Sequence, residues 1–334
     1  MKLSDIGEKK LVEQLRARLN PNRSRFGVVV DIGDDTAALE FAHSDKLLLF
    51  TCDMLVEEIH FRRAWHPAEK LGWKALAINI SDIAAMGGQP KFAVVSAALP
   101  GDTEVEFVEQ LYAGLQACAQ KYGVMIVGGD SVGSRQGIVL DVSLIGEVER
   151  SRLLKRSGAC SGDLIAVTGP LGGAAAGLKL LQEGKGGSPE SAGLINALLQ
   201  PQPRLKEAQA LSSTGVVSAM MDLSDGLADD LPRLCQESMV GARIYAAKIP
   251  FFPACPFGPE ACLDFALRGG EDYELLFTLN PNGLSSVNSA LTKIGSPQPI
   301  VIGEVASPSA GVQLLQADGT AAPLPEGYKH FNTS

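Results

Sequence analysis

A chain of 334 residues exceeds the size at which a single core usually stops growing, so two domains are expected. Hydrophobic residues make up 46% of it and charged residues 20%, a balance that excludes a disordered protein. The net charge of −9, with no stretch rich in Lys and Arg, argues against a nucleic-acid groove and means that an anionic substrate needs metal screening. Cys52, Cys118, Cys160, Cys235, Cys255 and Cys262 are scattered without a CxxC pair and read as reduced thiols. His60 and His66 form no zinc signature. No run approaches the roughly 18 apolar residues of a membrane span, and the N-terminus leads into a charged stretch rather than a signal region. A cytoplasmic protein with neither a membrane nor a nucleic-acid partner is expected.

In chain order, Ser4 opens a helix whose stripe Ile6, Leu11, Leu15 and Leu19 ends at Asn20-Pro21-Asn22. Strands are predicted at 28–30, 47–51, 92–97, 124–127 and 138–145. Between them, Pro67 starts a helix reaching about Met86, and Thr103 caps another from about Glu104 to Tyr122. This forms a mixed-sheet α+β unit over 1–153. The glycine- and serine-bearing turn at 157–163 introduces an α/β unit over 154–334, with strands at 164–168, 216–221, 242–246, 274–278 and 300–304. Pro201-Gln202-Pro203 and the four-proline segment 250–259 read as connectors or loops.

Carboxylates gather where apolar runs end: Gly33-Asp34-Asp35, Thr51-Cys52-Asp53, Ser81-Asp82, Gly129-Asp130 and Asp222-Leu223-Ser224-Asp225. One acidic pocket holding Mg²⁺ against nucleotide phosphates accounts for the recurrence, because Mg²⁺ takes oxygen ligands and bridges carboxylates to phosphate. Each motif alone also has a plain reading as a solvated turn or a helix cap. Adjacent residues on a strand face opposite ways, so only one of Asp34 and Asp35 can look into a pocket. Lys74, Ile78 and Asp82 share a helix face, either as a salt-bridged surface or, among so many small residues, as an internal one. Gly169-Pro170-Leu171-Gly172-Gly173 follows a strand and opens a helix, a weak phosphate-loop signal without the Lys of a Walker A loop. In Gly269-Gly270-Glu271-Asp272-Tyr273-Glu274, Glu271 could meet a cationic group.

Taken in order, these motifs, with Asn79-Ile80-Ser81-Asp82-Ile83-Ala84-Ala85-Met86-Gly87 and the terminal Gly327-Tyr328-Lys329-His330-Phe331, resemble the thiamine-monophosphate kinase family over essentially the whole chain. That family stands with aminoimidazole ribonucleotide synthetase, the hydrogenase-maturation dehydratase and selenophosphate synthetase. The resemblance implies transfer of the γ-phosphoryl group of ATP to thiamine monophosphate, giving thiamine diphosphate, in a cleft between the two domains. It also implies a homodimer joined through N-terminal strands. Carried over by resemblance, Asp35, Thr51, Cys52, Asp53, Asp82, Asp130, Asp222 and Asp225 fall at positions that hold several Mg²⁺ ions. Gly129, Asp130, Arg156, Ser224 and, more weakly, Tyr112 fall at ATP positions, while His60, Glu271 and Tyr328 fall at substrate positions. Asp130, Asp222 and Arg156 are the expected catalytic set. Cys52 departs from the usual Thr, and a thiol is a poor Mg²⁺ ligand, leaving its carbonyl as the donor. Two other readings stand beside this one: a ligase or cyclase of the same superfamily, and a Mg²⁺-nucleotide-binding protein without turnover.

Overall fold

The computed structural model describes residues 10–14, 27–41, 44–187, 189, 191–253 and 255–327. Residues 10–14 are helical; the rest of the expected N-terminal helix, and Tyr328, lie outside the described residues. The first half builds a six-stranded sheet from β1 (Val28–Val30), β2 (Ala37–Glu40), β3 (Lys46–Val56), β4 (Gln89–Pro100), β5 (Met125–Ser134) and β6 (Val139–Glu149). Its order is β1-β2-β3-β6-β4-β5. Only β4 and β5 run parallel, and the helix α2 (Val105–Tyr122) supplies the long crossover that a parallel pair needs.

Strand β3 alternates as its sequence requires, burying Leu47, Leu49, Thr51 and Leu55 while Phe50, Cys52 and Met54 face outward. The inward residues meet α1 (Ala68–Ala85) and α2, joining Leu71, Ile80, Ile83, Leu111 and Leu115 in one core. The two helices approach closely because glycine stands at the contact on each: a Cβ at Gly72 would lie 1.8 Å from the Leu111 carbonyl oxygen, and one at Gly114 1.7 Å from that of Glu69. Thr103 does not cap α2. Glu104 takes the cap position without a side-chain bond, and the Thr103 hydroxyl is buried without a hydrogen bond.

The second half forms a seven-stranded sheet from β7 (Leu164–Val167), β8 (Val217–Asp222), β9 (Gly241–Tyr245), β10 (Leu275–Leu279), β11 (Ile300–Ala306), β12 (Val312–Leu315) and β13 (Ala321–Pro323), in the order β13-β12-β9-β11-β7-β10-β8. Only β12 and β9 are parallel, so the sheet is mixed and mostly antiparallel and the whole is a two-domain α+β fold. Its helices are α3 (Gly173–Gln182), α4 (Ala192–Leu199), α5 (Leu205–Ser213), α6 (Leu227–Ser238), α7 (Pro259–Arg268) and α8 (Leu284–Lys293). Both faces of the sheet are covered, which explains why β8 and β10 read as continuous apolar runs. Ile165, Val167, Met221 and Leu276 pack with α6, whereas Ala166, Met220 and Phe277 pack with α5 and α8. Ala84 and Ala85, at the end of α1, belong to that second core and tie the halves together.

The thiol expectation needs one correction. Cys255 and Cys262 form a disulfide, because the proline-rich loop turns back onto the first turn of α7 and brings their Cα atoms to 6.4 Å. Cys52, Cys118, Cys160 and Cys235 are free.

Candidate active site

Helix α1 organises the site. Pro67 fixes its start, and Lys74, Ile78 and Asp82 follow one another along a single face, so about 12 Å of helix separates Lys74 from Asp82. At the Asp82 end the carboxylates of Asp35, Asp82 and Asp222 converge, offering oxygens that all lie within 4.8 Å of one another. Asp35 arrives from the turn before β2, and Asp222 is the last residue of β8. Thr51 on β3 donates to Asp82 Oδ2 at 2.6 Å, and Ser81 donates to Asp222 Oδ2 at 2.5 Å.

Burial first, then the charges of Asp53, Asp222 and Asp35, pushes the Asp82 carboxyl well above the ordinary range. Asp222 is raised likewise, by burial and then by Asp35. Asp35 is buried and its Oδ2 has no hydrogen-bond partner. Three crowded carboxylates, one with a lone oxygen, form a hard-oxygen donor set that suits Mg²⁺ and would be costly without a cation.

Arg156 reaches the cluster from the segment between the halves. Its guanidinium bonds Asp35 Oδ1 at 2.5 Å and the Gly33 carbonyl at 3.2 Å. Asp34 turns the other way and accepts the Arg156 backbone N–H at 3.2 Å, and burial raises its carboxyl to about 7. Asp225 pairs with Arg233 at 2.6 Å. The helix behind it, α6, starts at Gly226 without a side-chain cap; instead the buried Asp230 accepts the backbone N–H groups of Asp225 and Gly226.

From this cluster a cavity of about 830 Å³ extends between the halves. Asp35, Thr51, Cys52, Asp53, Asp82, Arg156, Asp222, Ser224 and Asp225 line it together with His60 and Glu271. Alternation on β3 puts Thr51 and Asp53 on the face opposite the Cys52 side chain. His60 Nδ1 accepts the Val56 N–H at 3.0 Å.

Glu271 sits on a loop zipped to the end of β8: its N–H bonds the Ser224 carbonyl at 2.7 Å, and the Tyr273 N–H bonds the Leu223 carbonyl at 2.9 Å. Both Glu271 (φ 69°) and Tyr273 (φ 51°) adopt left-handed backbone, a strain that such paired bonds must hold. Sequence reasoning missed the partner of Glu271. Lys74, fully buried, places its ammonium 2.6 Å from the Glu271 carboxylate. The helix-face pattern left Lys74 either on a salt-bridged surface or inside, and nothing local points to a loop about 200 residues away.

Two further sequence expectations change. The glycine loop before α3 is not open to a phosphate, because Asp272 accepts the Gly172 N–H at 2.6 Å and the Ala174 N–H at 3.4 Å. That carboxylate already fills the helix start. Gly129, Asp130 and Tyr112 do not join the cluster within one chain. Gly129 and Asp130 lie exposed on β5, the edge strand, three strands from β3; at the usual spacing that is about 14 Å from Asp53. Gly129 is there because a Cβ would fall 1.9 Å from the Val95 carbonyl oxygen. Tyr112 is exposed on α2.

Comparison with known proteins agrees with this architecture. The model of the AIR synthase related protein N-terminal domain matches residues 33–148, and that of the C-terminal domain matches 161–313. Thiamine-monophosphate kinase of Aquifex aeolicus is 36% identical over 99% of this chain and 100% of its own length. That of Bacillus subtilis is 35% identical over 91% and 94%. The structure of AaThiL complexed with AMPPCP and TMP superposes with a TM-score of 0.84 at 35% identity, covering 99% of both chains. The hydrogenase maturation protein HypE, at 17% identity and a TM-score of 0.72, shares the fold. The chain belongs to the AIR synthase related family and, within it, to the thiamine-monophosphate kinases.

Proposed function

We infer that the chain transfers the γ-phosphoryl group of ATP to thiamine monophosphate, giving thiamine diphosphate. The observation that carries this is a single cleft with a three-carboxylate cluster and the Glu271 carboxylate, in a chain matching a relative complexed with AMPPCP and TMP. The first suits polyphosphate with Mg²⁺ and the second suits a thiazolium cation. Asp35, Asp82 and Asp222 would hold Mg²⁺, with Thr51, Asp53, Asp225 and the Cys52 carbonyl beside them. When bound, Mg²⁺ supplies positive charge that screens the phosphoryl oxygens.

The nucleophile is the substrate's own phosphate oxygen, so the protein needs to position rather than attack. Glu271, with one carboxylate oxygen paired to Lys74, offers the other to the thiazolium, with His60 on the same wall. Arg156 fixes the Asp35 carboxylate and orders the turn carrying it. Ser224, at the end of β8, meets the nucleotide. The chain divides functionally at about residue 153, each part supplying one side of the cleft, and acts in the cytoplasm; among the described residues no helix is long and apolar enough to cross a membrane.

Gly129, Asp130 and Tyr112 enter through a homodimer. What supports this is the apolar outer face of the first sheet, where Phe50, Met54, Phe92, Val94, Met125, Val127 and Val132 are exposed beside the open edge of β5. Pairing there buries that face and brings Gly129 and Asp130 of one protomer toward the cluster of its partner. Mixing Asp130→Asn and Asp222→Asn chains then restores activity, since one site of each mixed dimer is intact; no recovery on mixing would rule the shared site out.

The activity itself is tested by incubating the chain with ATP and Mg²⁺ alongside thiamine, thiamine monophosphate or an aminoimidazole precursor, and weighing the products. Phosphorylation of thiamine monophosphate alone is expected. A cyclised imidazole would support the ligase or cyclase reading, and nucleotide binding without any product the non-catalytic one.

A further inference from the structure

We propose that His66 is a specificity-determining residue that binds the aminopyrimidine end of the substrate, as a neutral imidazole in the wall of the cleft. The proposal rests on the thiamine monophosphate reading above. His66 is only 2% exposed, yet neither ring nitrogen has a hydrogen-bond partner, and the ring lines the same cavity as Glu271 and the carboxylate cluster. A buried imidazole with an unused donor and an unused acceptor is costly unless something polar meets it. No protein group hydrogen-bonds either nitrogen: Phe61 meets the ring edge-on with centroids 6.1 Å apart, and Ile59, Leu178 and Leu198 are among the apolar residues lining the cavity.

Position supports the assignment. Along α1 the order is Asp82, then Lys74 with its partner Glu271, then Pro67 and His66 at the helix start. Thiamine monophosphate has the same order, with phosphate, then thiazolium, then aminopyrimidine. Lys74, the partner of Glu271, is also the leading charge acting on His66, so with the thiazolium at Glu271 the pyrimidine lies on the His66 side. An aminopyrimidine carries an amino donor and ring-nitrogen acceptors, and neutral imidazole offers one of each. Burial, with Lys74 and Lys70 nearby, lowers the imidazolium pKa to about 3, so the ring stays uncharged and does not oppose the substrate's cation.

The test compares thiamine monophosphate with an N-methylthiazolium phosphate that keeps the charge and the phosphate but lacks the pyrimidine. In His66→Leu, kcat/KM for thiamine monophosphate should fall about ten- to a hundredfold, mostly through KM, as expected for losing one or two buried hydrogen bonds. The fragment's kcat/KM should hold within about twofold, since it never reaches the residue. His66→Gln, which keeps a donor and an acceptor, should recover part of the preference. The ratio is measured within one preparation, so a reduced folded fraction cancels; should His66→Leu fail to fold, His66→Phe carries the same expectation. An unchanged ratio, or equal losses on both substrates, overturns the assignment while leaving the kinase reading intact. A wild-type chain inactive on thiamine monophosphate overturns both.

Discussion

Asp82→Asn should make the metal-free protein more stable while destroying its activity. Burial and then the like charges of Asp53, Asp222 and Asp35 raise the Asp82 pKa, and the Thr51 hydroxyl opposes them. With oxygens within 4.8 Å and an effective dielectric of about 20, each fully charged pair repels by about 3.5 kcal/mol. Asp35 and Asp222 alone contribute up to about 7 kcal/mol of repulsion, and protonation of the wild-type carboxyl relieves part of it, leaving about 2–4 kcal/mol. Asn keeps an oxygen for Thr51. The sign follows from linkage: a folded pKa raised above the unfolded value stabilises below about pH 4, and that stability is lost as pH rises. Thermal unfolding in EDTA at pH 8 should therefore show the variant melting roughly 5–10 °C above wild type, with the gap closing toward pH 4. Added Mg²⁺ should raise the wild-type Tm and move the variant much less. If the variant melts below wild type in EDTA at pH 8, the carboxylates are stabilised by internal partners and the argument for a cation cluster fails.

Asp272 gives a second pH test away from the cluster. Burial raises its carboxyl to about 7, so its contribution to stability is present below about pH 4 and lost as pH rises through 7, by at most about 4 kcal/mol. Asp272→Asn should accordingly flatten the decline in stability between pH 4 and 8 seen by urea unfolding; parallel curves for the two proteins would contradict this. Gly114→Ala forces a Cβ to 1.7 Å from the Glu69 carbonyl oxygen and should cost about 2–4 kcal/mol of stability by separating α1 from α2, read as a lower urea midpoint. An unchanged midpoint would mean that the helices slide freely.

Elements with strong periodicity were legible in the sequence. Pro67 and the small-residue run specify α1, and the alternation through Leu47–Thr51 specifies β3, because a buried face imposes period two. β2, β12 and β13 were missed. They are three or four residues long and half exposed, and β13 lies at the sheet edge, so pairing rather than pattern makes them strands. At the site, the recurrence of Asp at element ends marked Asp35, Asp82 and Asp222, which the turn before β2, α1 and β8 bring together. What local sequence does not encode is which chemistry already has a partner. Asp272 fills the α3 start that read as a phosphate loop, Lys74 meets Glu271 from the other half of the chain, and Asp130 stands on an edge strand whose place in the sheet depends on strand order. His66 carries no motif at all; only its burial without a partner distinguishes it.

The central claim is that the Asp35–Asp82–Asp222 cleft transfers a phosphoryl group from ATP to thiamine monophosphate. Following radiolabel from the γ-position of ATP, with wild type and Asp222→Asn side by side at saturating Mg²⁺, tests it most directly. The account predicts label in the terminal phosphate of thiamine diphosphate with wild type, and a loss of at least about a thousandfold in the variant while it still melts cooperatively. Label appearing equally with both proteins, or in free phosphate with no thiamine diphosphate formed, would contradict it.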